Sequence, residues 1–178
     1  MTSPPDRTLA ESAYLHLIER DGWYFVRRPN LTGSVMMVAL TVKGELLFVQ
    51  QRPPLGRECI ELPAGLAGDE AEQAGESLTD AARRELLEET GYHAAAVTHL
   101  VDAATSPGMT DETVSFFLCT GLTKRHAGGG VQGENILVHE VPLHAAADWL
   151  LAQRNRGCAI AAKAFVGVLF ALRATKAT

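Results

Sequence analysis

The residues best suited to chemistry in this chain are the glutamates of Arg84-Glu85-Leu86-Leu87-Glu88-Glu89-Thr90-Gly91. Glu85, Glu88 and Glu89 stand at i, i+3 and i+4, so on a helix they project from one face within a single turn. Like charges at this spacing cost an isolated helix roughly 0.2–0.5 kcal/mol per pair, a penalty that solvent absorbs or a hard divalent cation reverses. Taken alone, the glutamates read as a solvated helix face. Their setting changes that reading. Upstream, Glu61-Leu62-Pro63-Ala64-Gly65 reads as a strand ending in a turn whose free carbonyls can add oxygen ligands, so strand, loop and helix together form a metal cradle. Hard carboxylate oxygens favour magnesium over zinc, with manganese able to substitute.

The elements that must position these residues can be read from periodicity. Over residues 77–90, Leu78, Ala82 and Leu86 recur at four-residue spacing, which predicts a helix. Ser77, with Asp80 three residues on, caps its start, and Gly91 stops it. Residues 9–20 read as a short helix or strand, and 23–26 as a β-prone run. Residues 34–42 and 45–51 are β-rich and separated by Lys43-Gly44, which predicts a hairpin; 59–62 form a short strand ended by Pro63. Further strands are expected over 95–103, 113–122 and 135–141, and helices over 145–153 and 160–172. Between them, 124–133 carries three successive glycines and reads as a mobile loop. The order predicts an α+β fold with a sheet sandwiched between helices, without internal repeats or a linker long enough to divide domains.

Bulk properties narrow the function. A chain of 178 residues suits one domain, and its net charge of −5 argues against a general nucleic-acid binder, which needs a basic face. A few arginines and a metal can still hold two phosphates of a small nucleotide. Cys59, Cys119 and Cys158 are odd in number, widely spaced and set among apolar residues, so they read as small hydrophobes in a reducing compartment. The six histidines form no ligand-like cluster. Residues 1–7 lack an apolar core and no later run approaches the ~20 apolar residues of a membrane span, so a soluble, cytoplasmic protein is expected.

The acidic helix resembles the signature of the Nudix family, G-x5-E-x7-R-E-U-x-E-E-x-G-U, with U a bulky aliphatic residue. Glu76, Arg84, Glu85, Leu86, Glu88, Glu89 and Gly91 match in register. Tyr92 replaces the final aliphatic residue, and Gly65 stands eleven residues before Glu76 where the pattern has six. The five extra residues fall within 66–75, in a loop where added length costs little. The resemblance implies a mixed sheet between helices, Glu85 and Glu89 as direct magnesium ligands, Glu88 ligating directly or through water, and the Ala64 carbonyl as a further ligand. Arg84 pairs with Glu76 in that family and orients the site; the bland alternative is a surface ion pair worth little.

Beyond the signature, Gln51-Arg52-Pro53-Pro54-Leu55-Gly56-Arg57 and Ser106-Pro107-Gly108-Met109-Thr110-Asp111-Glu112 resemble the ADP-ribose pyrophosphatase branch, with Pro107 fifteen residues after Tyr92. That branch implies Glu134, between the glycine-rich loop and the 135–141 strand, as general base, against a solvated loop glutamate as the alternative. It implies Trp23 and Arg28 in an N-terminal β-rich element (residues 1–33) that stacks adenine and contacts the diphosphate, often across a homodimer interface. Ordinary edge-strand packing is the competing role for Trp23. Arg52, Pro107 and Glu112 complete the expected substrate site, and residues 34–178 the Nudix domain. The implied reaction is magnesium-dependent cleavage of a nucleoside diphosphate sugar, ADP-ribose first, to AMP and ribose 5-phosphate. Another nucleotide substrate of the same family, or a domain that binds ADP-ribose without cutting it, are the alternatives.

Overall fold

The structure, a computed structural model, describes residues 5–29, 31–54, 56–68, 73, 75–131 and 133–176. The chain opens with three antiparallel strands, β1 (Arg7–Glu11), β2 (His16–Arg20) and β3 (Trp23–Arg27), forming a sheet of their own. Residues 9–20, open between helix and strand by pattern, are the end of β1, a turn over 12–15 and β2. Asp21 and Gly22, at φ 50° and 80°, make the tight turn between β2 and β3.

The remaining strands are β4 (Gly33–Ala39), β5 (Glu45–Gln51), β6 (Cys59–Glu61), β7 (Ala64–Ala67), β8 (Tyr92–Ala104), β9 (Thr113–Lys124), β10 (Leu137–Pro142) and β11 (Ala159–Ile160). They form two four-stranded sheets, ordered β7-β4-β9-β8 and β10-β5-β6-β11. The β4–β9 and β6–β11 pairs are parallel and the others antiparallel. Three helices complete the fold: α1 (Leu78–Thr90), α2 (Ala146–Asn155) and α3 (Ala162–Lys176).

The expected hairpin over Lys43-Gly44 needs correction. The turn is there, with Gly44 at φ 76° donating to the Thr41 carbonyl at 3.0 Å. The strands it joins enter different sheets and share a single bridge, Leu40 to Leu46. Both strands are buried on both faces, and each finds its ladder partners elsewhere in the chain. Val35, Met37, Ala39 and Leu47 point into a core closed by Ala81, Ala82 and Leu86 of α1. Met36, Val38, Leu46 and Phe48 point the opposite way, against Leu150 of α2 and Val168 of α3. The layer order is helix, mixed β layer, helices, as expected. Strand β7 is a second correction: Ala64–Ala67 is extended where a turn at Ala64-Gly65 followed by a loop over 66–75 was expected. It resumes extended pairing after Pro63, with Met36 opposite Ala64.

Cys59 and Cys119 are buried and all three cysteines are free. Trp149 stacks on Phe48 with ring centroids 5.5 Å apart, a core position. Of the inserted stretch, residues 69–72 and 74 lie outside the described residues, as does Leu55. No described helix is long and apolar enough to cross a membrane.

Candidate active site

Helix α1 can present its glutamates because both ends are fixed as the sequence predicts. The Ser77 hydroxyl accepts from the Asp80 N–H, and Gly91, at φ 75°, donates to the Leu87 carbonyl. Leu86 faces the core, which leaves Glu85 and Glu88 partly open while Glu89, at the edge, is only 7% exposed.

Strand β7 lies very close to this helix. A Cβ on Gly65 would stand 2.0 Å from the Glu85 carboxyl carbon, so only glycine fits there without displacing Glu85. One residue earlier, the Ala64 N–H donates to Glu89 Oε2 at 3.0 Å. Arg84 organises the rest. It grips Glu76 with two parallel hydrogen bonds of 3.0 Å, reaches Glu85 at 2.9 Å and Glu88 at 3.1 Å, and donates to the Leu66 carbonyl at 3.0 Å. The expected Arg84–Glu76 pair is thus present, half-buried and bidentate rather than a loose surface contact.

The three carboxylates share a helix face but not one focus. Glu85 and Glu88 turn to Arg84, while Glu89 turns to the Ala64 amide. Among the described residues, no three acidic, histidine or cysteine side chains form a ready-made metal-ligating group. Like charges have separated onto the nearest donors. Burial pushes the Glu85 carboxyl up to about 7, with Arg84 opposing. Burial also pushes Glu89 up to about 9, against the Ala64 hydrogen bond and with repulsion from Glu85 and Glu134 adding to it. Carboxylates drawn out of water in this way are short of positive charge, and an all-oxygen donor set of this kind fits a hard divalent cation.

Three clefts adjoin one another here. The first, about 420 Å³, is lined by Trp23, Tyr24, Phe25, Pro107, Asp111 and Glu112. The second, about 220 Å³, shares Glu112 and runs past Gln51, Glu61, Ala64, Gly65 and Lys163. The third, about 560 Å³, shares Gln51 and is lined by Arg52, Glu58, Gly133 and Glu134. The shared residues make them one trough.

Its first cleft joins the N-terminal sheet to the 105–112 segment. The Val26 N–H donates to the Met109 carbonyl at 2.8 Å, and Arg27 pairs with Asp111 at 2.6 Å. Arg28 lies 3.4 Å from Glu112, which also accepts from the Ser34 hydroxyl at 2.8 Å. Trp23, Arg28, Pro107 and Glu112, far apart in sequence, thus come together within one chain, with Trp23 70% exposed at the cleft. Arg52 pairs with Glu58 at 3.0 Å and shares the third cleft with Glu134. The Glu134 carboxylate accepts from the Val131 N–H at 2.9 Å and is folded back on its own loop.

Among the trough residues to which sequence reasoning gave no role are Gln51, Glu61 and Lys163. Gln51 donates to Glu61 at 3.0 Å across the β5–β6 pair, a contact that register alone creates. Lys163 reaches the trough because α3 seats tightly on β6, where a Cβ on Gly167 would meet Leu62 at 2.6 Å. A lysine in the first turn of a helix that stays apolar until Arg173 was the available signal.

Comparison with known proteins relates the chain to a family and a fold. A family model described as NUDIX domain matches residues 30–159. A methanol dehydrogenase activator from Bacillus methanolicus is 34% identical over 131 residues, covering 72% of this chain and 66% of that protein. An ADP-ribose pyrophosphatase from Bacillus subtilis (strain 168) is 41% identical over 92 residues, covering 51% of this chain and 47% of that protein. The chain thus spans less than two thirds of either relative's length. A solved structure described as an ADP compounds hydrolase superposes with TM-score 0.69 at 22% identity, over 97% of this chain and 91% of that one, a likeness of fold.

Proposed function

The chain belongs to the Nudix family, and from that premise we propose that it hydrolyses the diphosphate linkage of a nucleoside diphosphate sugar, with ADP-ribose the preferred substrate. The observation that carries the reading is the single trough, which runs from an aromatic cleft at Trp23 and Pro107, past Ala64 and Gly65, where β7 abuts Glu89 and Glu85, to Glu134. The likeness to a protein named ADP-ribose pyrophosphatase supports the choice of adenine and ribose.

In this reading Glu85, Glu89 and the Ala64 backbone hold magnesium, for which manganese can substitute, and Glu88 binds directly or through water. Magnesium bound there supplies positive charge to the diphosphate and lowers the pKa of water. Glu134 is the general base that takes the proton from the attacking water. Arg84 keeps Glu85 and Glu88 in place, Arg28 and Arg52 orient phosphate oxygens, and Trp23 stacks the adenine against the Pro107–Glu112 side of the first cleft. Water attacks phosphorus, the P–O bond of the bridging oxygen breaks, and AMP and ribose 5-phosphate leave. The exposed N-terminal sheet is the proposed homodimer contact.

The test is hydrolysis of ADP-ribose with Mg²⁺, products resolved, beside Glu89→Gln and a panel of GDP-mannose, UDP-glucose, diadenosine polyphosphates and oxidised dGTP. AMP with ribose 5-phosphate, lost in Glu89→Gln, is the expected result. Faster cleavage of a panel member would replace the substrate and keep the chemistry. Binding of ADP-ribose without cleavage of any compound would make the chain a sensor.

A further inference from the structure

The triple glycine of the loop after β9 does more than loosen the chain. The last carbonyls of a helix lack partners within it, and two of those of α1 are satisfied from this loop. The Gly129 N–H donates to the Glu89 carbonyl at 2.9 Å and the Gly130 N–H to the Glu88 carbonyl at 3.1 Å. Upstream, the Arg125 N–H donates to the Gly91 carbonyl at 2.7 Å. At Gly128 the approach to the helix is too close for a side chain. A Cβ on Gly128 would stand 2.5 Å from the Thr90 carbonyl carbon and 2.6 Å from the Glu89 oxygen, and all three glycines have positive φ, of 76°, 115° and 82°. Gly129 also faces forward, its carbonyl accepting from the Ile136 N–H at 3.3 Å. One residue therefore ties the carbonyl of Glu89 to the backbone two residues beyond Glu134.

We propose that Gly128, Gly129 and Gly130 are positioning residues: a backbone clasp that holds the Glu134 loop in fixed register against the end of the glutamate helix. The inference rests on the proposed role of Glu134 as general base. The Glu134 carboxylate can leave the Val131 N–H and swing toward the trough while the Gly129 clasp stays closed, so the base moves by side-chain rotation and its backbone stays put. Adding a methyl at Gly128 forces the loop off the helix and displaces Glu134 without touching the aromatic cleft.

A double-mutant cycle of Gly128→Ala with Glu134→Gln tests this. Glu134→Gln alone should cost roughly 10²–10⁴ in kcat. Gly128→Ala alone should cost on the order of 10²-fold, as expected for misplacement of a reacting group by about 1 Å, with KM within about twofold. In the Glu134→Gln background, Gly128→Ala should cost nothing further. Additive losses would overturn the clasp and leave Glu134 as base. An unchanged kcat in Glu134→Gln alone would overturn the base assignment and the clasp with it. If Gly128→Ala does not fold, hydrogen exchange on the wild type decides: slow exchange at the Gly129 and Gly130 amides supports the clasp, and rates like those of free loop amides overturn it.

Discussion

At the scale of the residue, the site turns on where backbone and carboxylate are allowed to meet. Gly65 is the sharpest case, because Glu85 fills the space that any side chain there would occupy. Gly65→Ala should therefore push Glu85 off Arg84 and out of reach of the Glu89 side of the cradle. We expect Mn²⁺ affinity, followed by electron paramagnetic resonance, to fall roughly 10- to 100-fold, the usual cost of disturbing a ligand's support. Unchanged affinity would mean that Glu85 is not a ligand. Arg84 acts through several contacts at once, since one guanidinium restrains Glu76, Glu85 and Glu88 together. Its planar fork matches Glu76 in a way that lysine cannot.

At the scale of the element, Tyr92 is the departure from the family signature that the fold puts to use. Its hydroxyl donates to Glu140 at 2.7 Å and so ties the first residue of β8 to β10, the strand that follows the Glu134 loop. Lys124 of β9 donates to the same carboxylate oxygen at 2.8 Å. The Lys124 and Tyr92 hydrogen bonds hold the Glu140 carboxyl below its ordinary value. A depressed folded pKa gives stability that is present above the unfolded value, near 4.5, and lost as pH falls below it. Tyr92→Phe should cost about 1 kcal/mol near neutrality, or about 2–4 °C in Tm. The gap between variant and wild type should narrow as pH drops from 5 to 3, because the wild type alone loses the Tyr92 contribution. Thermal melts across that range check both points, and a gap independent of pH would remove Glu140 from the account.

At the scale of the whole molecule, the N-terminal sheet stands apart from the two cores. Its strands expose Leu9, Leu17, Trp23 and Tyr24, while the turn between β1 and β2 exposes Tyr14 and Leu15. Exposed apolar side chains gathered on one small sheet suit an interaction site, and a second copy of the chain is the proposed occupant. Light scattering on the eluted protein should give twice the chain mass, with Tyr14→Asp shifting it toward the monomer; a monomeric wild type would end the proposal. The same sheet presents Trp23 to the first cleft. Trp23→Ala should raise the KM for ADP-ribose about tenfold, consistent with the loss of one base-stacking contact, and leave kcat within about twofold. A change in kcat alone would assign Trp23 to structure.

The sequence by itself determined what is local. Helix α1 was legible from Ser77 to Gly91 because capping, four-residue apolar spacing and a terminal glycine all act within one segment. The register of Glu85, Glu88 and Glu89 followed, as did the Arg84–Glu76 partnership that the family resemblance implied. The long strands β8 and β9 were legible in outline: β8 begins three residues before and ends one after the expected span, and β9 begins where pattern placed it and ends two residues later. Tertiary structure decided everything that depends on pairing between distant segments. Lys43-Gly44 specified a turn, yet whether β4 and β5 would pair could not be read, because strands apolar on both faces carry no alternation to fix their partners. Ala64 to Ala67 looked like loop because its small residues become a strand only against β4. Gln51, Glu61 and Lys163 meet through register and helix seating, and neither leaves a periodic trace. The glycine run looked like slack for the same reason: its partners are the carbonyls of a helix some forty residues earlier, and backbone groups have no sequence signature.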